Sequence, residues 1–160
     1  MIRIGVTGHS NLSAESTELV FGGLRDAIEP HADDGLHGIT CLAAGADQLF
    51  ARAVLSLGGQ YDVILPAPDY RDTVVKPANL ADFDTLLAEA SDVQFMPFET
   101  SGREAYMAAS EALLTRSDRL LAVWDGEPSR GWGGTADVVA HARHLGVPVD
   151  VIWPAGARRR

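Results

Sequence analysis

Cysteine and lysine are almost missing from this chain of 160 residues: Cys41 is the single thiol and Lys76 the single lysine. One cysteine excludes an internal disulfide, so the core alone must hold the fold, which suits a reducing compartment. No apolar run approaches the roughly 20 residues that a bilayer span needs. The first residues also lack the basic-then-apolar pattern of a secretory leader. The expectation is a cytoplasmic protein with no membrane association. Positive charge is scarce as well: 13 Lys and Arg stand against 22 Asp and Glu, a net charge of −9. Such a field repels polyanions, so nucleic acid is not expected as a partner. A small anion is not excluded, because a few oriented amides and one arginine make a locally positive pocket.

Two phosphate signatures are absent too. No G-x-G-x-x-G follows the first apolar run, and no acid stands where a dinucleotide fold holds its ribose. No G-x-x-x-x-G-K-[ST] occurs, and Lys76 lies far from any glycine turn. These absences argue against a conventional nicotinamide-dinucleotide site and against a P-loop ATPase. No cofactor is called for.

What the chain does have is alternation. Strand-like runs at 2–7, 38–42, 61–65, 93–97, 119–124 and 147–153 are separated by helical patterns at 14–29, 46–57, 80–90, 103–115 and 135–145. Ser13 is placed to cap the first helix, Gly146 to stop the last. Residues 69–79 read as an irregular, polar flap. This order predicts an α/β, Rossmann-like three-layer sandwich, with a mostly parallel central sheet and helices on both faces. One domain over 1–155 is expected, with 156–160 as a frayed basic tail. Right-handed crossovers gather the strand-to-helix turns at one edge, where ligands of such folds bind.

Three of those turns are rich in glycine: "TGHSNLS" from Thr7, "AAGAD" from Ala43 and "DGEPSRGWGGTAD" from Asp125. Glycine lets a ligand approach the backbone, and a helix starting there aims free N–H groups and a partial positive charge at it. "GHSNL" nearly matches the nucleophile elbow G-x-S-x-G, but Leu12 replaces the second glycine, so His9, Ser10 and Asn11 read as polar side chains offered to a ligand or as caps of the following helix. His141 and His144 have a metal-compatible spacing without an accompanying acid or cysteine cluster, so no metal site is expected. His31 and His37 flank what reads as a surface turn, and Tyr106 reads as core.

The stretch "DRLLAVWDGEPSRGWGGTADVVAHAR" from Asp118, with "IGVTGHSNL" at the start, "LAAGADQLFARAVLSLG" and "DVILPAPDY", resembles the SLOG superfamily. These are Rossmann-like domains related to the cytokinin-activating LOG proteins and to DprA/Smf. The resemblance covers nearly the whole chain and implies binding of a nucleotide or nucleotide-derived ligand, in some members as a sensor. It also implies association, with a homodimer as the expectation by analogy. LOG enzymes carry P-G-G-x-G-T-x-x-E, whose glutamate is catalytic. The matching position here is Val138, and the nearest acid, Asp137, is one residue early, about 100° around a helix.

The expected ligand contacts follow. The amides of Gly133, Gly134 and Thr135 would cradle phosphate, with Gly45 and Asp47 beside them. Asp47 would accept from a ribose hydroxyl or cap its helix. Gly8, His9 and Ser10 would form a third wall, and Arg130 would supply a mobile cation. Trp132 would stack on a base or plug the loop, and Asp125 would touch ligand or hold the loop. Three functions compete: nucleotide binding, N-glycosidic hydrolysis using an acid such as Asp47 or Asp137, and a non-catalytic interaction module. Binding is favoured, because spacing singles out no carboxylate.

Overall fold

The computed structural model describes residues 1–129 and 134–160. Six strands form the sheet: β1 (Ile2–Gly8), β2 (Leu36–Thr40), β3 (Gln60–Leu65), β4 (Asp92–Phe95), β5 (Arg119–Val123) and β6 (Val149–Val151). The helices are α1 (Ala14–Ile28), α2 (Ala46–Ser56), α3 (Tyr70–Thr73), α4 (Leu80–Glu89), α5 (Arg103–Arg116) and α6 (Thr135–His144). The order across the sheet is β4-β3-β2-β1-β5-β6, and every neighbouring pair is parallel. This is the α/β, Rossmann-like architecture that the alternation predicts.

Strand periodicity explains which residues build each layer. Alternate residues of β1 face opposite sides of the sheet. Ile4 and Val6 join Val20, Leu24 and Ile28 of α1, Phe50 and Val54 of α2, and Phe83 and Leu86 of α4 in one apolar layer. On the other face Ile39, Ile64 and Leu120 meet Ala109, Leu113 and Leu114 of α5 and Ala142 of α6. Small residues set the spacing where helix and strand touch: a Cβ on Gly38 of β2 would come within 2.8 Å of the Phe50 ring.

The chain adds β2, β3 and β4 outward on one side of β1, then returns to place β5 and β6 on the other. The connections leaving β1 and β5 therefore diverge to opposite faces, which opens a crevice at their carboxyl ends, the switch point where ligands of such sheets bind.

Several local expectations need correction. The second strand begins at Leu36 and ends at Thr40, so His37 lies in β2, where its Nε2 is 2.9 Å from the Asp62 carboxylate. Beyond it Leu42 is fully buried at φ 60°, a left-handed conformation costly for a branched residue. The Thr40 hydroxyl braces it by accepting from the Leu42 amide at 3.0 Å. Residues 69–79 hold α3 and a 3₁₀ turn at Pro77–Asn79. They are pinned by Asp69 accepting from the Ser101 amide and hydroxyl at 2.8 and 2.7 Å, and by Arg71 gripping Asp84 with two nitrogens at 2.8 Å each. Tyr106 is 40% exposed, because α5 turns it from the sheet toward Tyr70.

Residues 158–160 are not frayed. Arg159 forms an antiparallel bridge with Leu12, and the Arg158 carbonyl accepts from the Ser13 amide at 3.0 Å. The Ser16 hydroxyl, fully buried, both accepts from the Arg158 amide at 2.7 Å and donates to its carbonyl at 3.0 Å. Backbone pairing with residues 11–13 and the buried Ser16 hydroxyl offset the entropy of ordering this segment. No helix among the described residues is long and apolar enough to cross a membrane.

Phe50 is the keystone of the α2 packing, so Phe50→Ala should lower unfolding free energy by about 3–5 kcal/mol. Urea denaturation checks this: a fall in midpoint with an unchanged slope is expected.

Candidate functional site

The site is built on His9, the residue that follows β1. Its amide donates to the Val123 carbonyl at the end of β5 at 3.1 Å, and its carbonyl accepts from Ala46 at the start of α2 at 3.2 Å. The ring is 7% exposed and stands edge-on to Trp153 at 5.6 Å. Its Nε2 accepts from the Asp125 amide at 3.1 Å. An acceptor Nε2 in a neutral ring leaves the proton on Nδ1, which is 3.5 Å from the Thr135 hydroxyl. Burial, and then the charge of Arg159, hold the imidazole below its ordinary value of 6.5, against the opposing pull of Asp125.

Asp125 holds the loop after β5. One carboxylate oxygen accepts from the Glu127 amide at 3.0 Å and sits 3.3 Å from His9 Nε2. The other lies 3.6 Å from Arg159. Burial opposes ionisation, but the Glu127 amide, His9 and Arg159 together keep this carboxyl below the usual range.

Between these elements lies a cleft of about 440 Å³. Gly8, His9, Ser10 and Asn11 form one wall, Glu127 to Ser129 a second, and Gly134, Thr135 and Ala136 a third, with Arg159 alongside. Gly134 is the N-cap of α6 and gives its helix no side-chain cap. Its own carbonyl takes the amides of Asp137 and Val138 at 3.0 and 3.2 Å, so the Thr135 and Ala136 end of the helix is what meets the cleft. A Cβ on Gly134 would fall 2.6 Å from the Ser129 hydroxyl, which is buried without a partner among the described residues.

The predicted residues divide accordingly. Gly8, His9, Ser10, Gly134 and Thr135 meet at the cleft, while Asp125 acts one step behind it. Gly8 is needed for packing: a Cβ there would lie 2.6 Å from Ala46 and 2.7 Å from Val123. The second turn touches the first but spends its amides within the protein. Gly45, at φ 84°, passes so near Ser10 that a Cβ would come within 2.8 Å of its backbone. Asp47 is 7% exposed and turned inward to accept from the Ala43 amide at 3.2 Å. Burial pushes its carboxyl up to about 7, only partly offset by that amide. It does not line the cleft. Arg130, Trp132 and Gly133 lie outside the described residues.

Asp137 faces elsewhere. With Arg103, Tyr106, Met107 and His141 it lines a mainly apolar groove of about 580 Å³ between α5 and α6, which Ser110 and Val138 connect to the cleft. Among the described residues no group of three His, Cys, Asp or Glu could hold a metal. Asn11, read with His9 and Ser10 in the first turn, does line the cleft, whereas sequence reasoning missed Glu127 and above all Arg159. Nothing local marks an arginine 148 residues away that donates to the Asn11 side chain at 3.0 Å.

Models of known protein families and curated proteins give no match to this chain. Solved structures do. DprA from Streptococcus pneumoniae superposes with a TM-score of 0.67 at 15% identity, over 94% of this chain and 50% of its own. The likeness is one of fold, a parallel Rossmann-like α/β sheet. DprA from Helicobacter pylori, described for its single-stranded DNA binding mode, matches at 0.67 and 14% identity over 94% of this chain and 64% of its own. The molybdenum cofactor carrier protein from Chlamydomonas reinhardtii matches at 0.58 and 18% over 94% and 75%. This chain thus spans about half the length of the pneumococcal DprA. The Helicobacter pylori DprA corrects one expectation: a protein of this fold has a described single-stranded DNA binding mode, so a net charge of −9 does not exclude nucleic acid. Net charge describes the far field, while binding is decided by the local surface.

The two perturbed groups have opposite pH signatures. Unfolded His9 takes a proton near pH 6.5 that the folded ring resists, so its contribution to stability is lost as pH falls below that value. Folded Asp47 keeps its proton up to about 7, well above the unfolded value of 3.8, so its contribution declines as pH rises between them. Relative to the parent, His9→Asn should gain stability from pH 7 to 5, and Asp47→Asn from pH 5 to 8. Urea titrations across that range read both.

Proposed function

We propose that the cleft between the β1–α1 loop and the start of α6 binds a phosphate-bearing small molecule, a nucleotide or nucleotide-derived ligand. The observation that carries this reading is the meeting, at the switch point of a parallel sheet, of an α6 N-terminus lacking a side-chain cap with the Thr135 hydroxyl and Arg159. Helix amides and a guanidinium are donors suited to a phosphate's oxygens. The cleft volume also lies within the range of small-molecule sites.

Hydrolysis is the weaker reading. The two candidate acids stand away from the cleft: Asp47 is folded into the β2–α2 turn and Asp137 lines the α5–α6 groove. The carrier protein, named for the molybdenum cofactor, offers a precedent for small-molecule carriage on this fold.

A thermal-shift panel tests the proposal: AMP, ADP-ribose, NAD, cyclic nucleotides and a single-stranded oligonucleotide, each compared with adenosine. A ligand at 100 times its Kd stabilises by about 2.7 kcal/mol, which for a chain of this size is roughly 5–10 °C in Tm. Phosphate-bearing ligands should raise Tm, adenosine should not, and Thr135→Val should reduce the shift. No shift from any small phosphate compound at millimolar concentration rejects the reading, and a shift from the oligonucleotide alone replaces it.

A further inference from the structure

We propose that Arg159 is the phosphate-binding cation of the cleft, and that docking of residues 158–160 completes the site, so ligand binding and closure of this segment are coupled. This rests on the reading of the cleft as a phosphate site and adds which residue supplies the charge and how. Arg103 lines the α5–α6 groove, leaving Arg159 as the lysine or arginine at the cleft among the described residues.

The guanidinium is held from behind. Its Nε donates to Asn11 at 3.0 Å and its Nη1 faces Asp125 at 3.6 Å, contacts that leave out Nη2. A side chain one-third exposed and braced in this way has little left to lose on gripping an anion. The same Asp125 anchors the β5–α6 loop and sits against His9, so Arg159, the loop and the imidazole share one carboxylate.

The segment carrying the arginine is latched at Ser16, outside the cleft, and at the backbone of Asn11, on its wall. Arg158 is gripped through both backbone groups by the buried Ser16 hydroxyl, and the Arg160 amide donates to the Asn11 carbonyl at 2.7 Å. Ser16 lies on α1 and does not line the cleft, which makes the coupling separable from contact. Loosening the latch lowers the fraction of molecules with Arg159 in place, and affinity falls by that fraction.

Calorimetry with AMP and ribose 5-phosphate, against adenosine as the phosphate-free control, provides the test. Arg159→Ala should weaken both phosphate probes at least tenfold, and Arg159→Lys should recover part of the loss. Ser16→Ala should weaken them by about three- to tenfold, and in an Arg159→Ala background should cost less than a further twofold. Hydrogen exchange at the Arg158 and Arg160 amides should slow on adding AMP to the parent chain. Circular dichroism confirms that each variant folds. Parent-like affinity in Arg159→Ala overturns the inference, as does a full Ser16→Ala effect in the Arg159→Ala background. A parent chain that binds neither phosphate probe overturns the cleft reading itself, and this inference with it.

Discussion

The imidazole of His9 is the contact on which the arrangement of this edge depends. Its backbone is shared between the end of β5 and the start of α2. Its ring accepts from the Asp125 amide, faces the Thr135 hydroxyl and packs edge-on to Trp153. The ring touches three other segments of the chain, and the backbone of the same residue ties in α2 and the end of β5. A buried polar group of this kind is worth having only when both nitrogens are satisfied, and each here has a partner. The loops after β1 and β5 are consequently held in one register at the point where the strand order reverses.

Charge at the cleft is organised around the same group. Asp125 is shared by His9, the Glu127 amide and Arg159, and it orients all three rather than facing a ligand directly. Asp47 shows the opposite solution. It is buried, and the Ala43 amide offsets only part of the cost of its charge. Two aspartates that the sequence places equally well at turn ends thus differ in role: one sits against His9 and Arg159, the other accepts from a backbone amide inside the β2–α2 turn.

Periodicity made the layers legible: alternating apolar residues and glycine-terminated helices lead directly to a parallel sheet with two helical faces. The β1 and β5 turns were legible as neighbours because parallel crossovers bring them to one edge. What the turns do individually was not. Gly8 and Gly45 carry the composition of a ligand loop, yet they serve close packing against Ala46, Val123 and Ser10. Local sequence does not distinguish a glycine that admits a ligand from one that admits a neighbouring backbone. Arg159 was illegible for a different reason: three arginines after a proline and a glycine look like a solvated tail, and only tertiary placement shows their backbone completing a pairing with residues 12–16.

That pairing joins Ser13 to Arg158, 145 positions further along the chain, with consequences for the order in which contacts form. Contacts between segments so far apart form late, since the intervening loop must close before they stabilise anything. The sheet and α1 must therefore already be in place before residues 158–160 can pair with residues 11–16, so this edge is among the last parts of the fold to be finished.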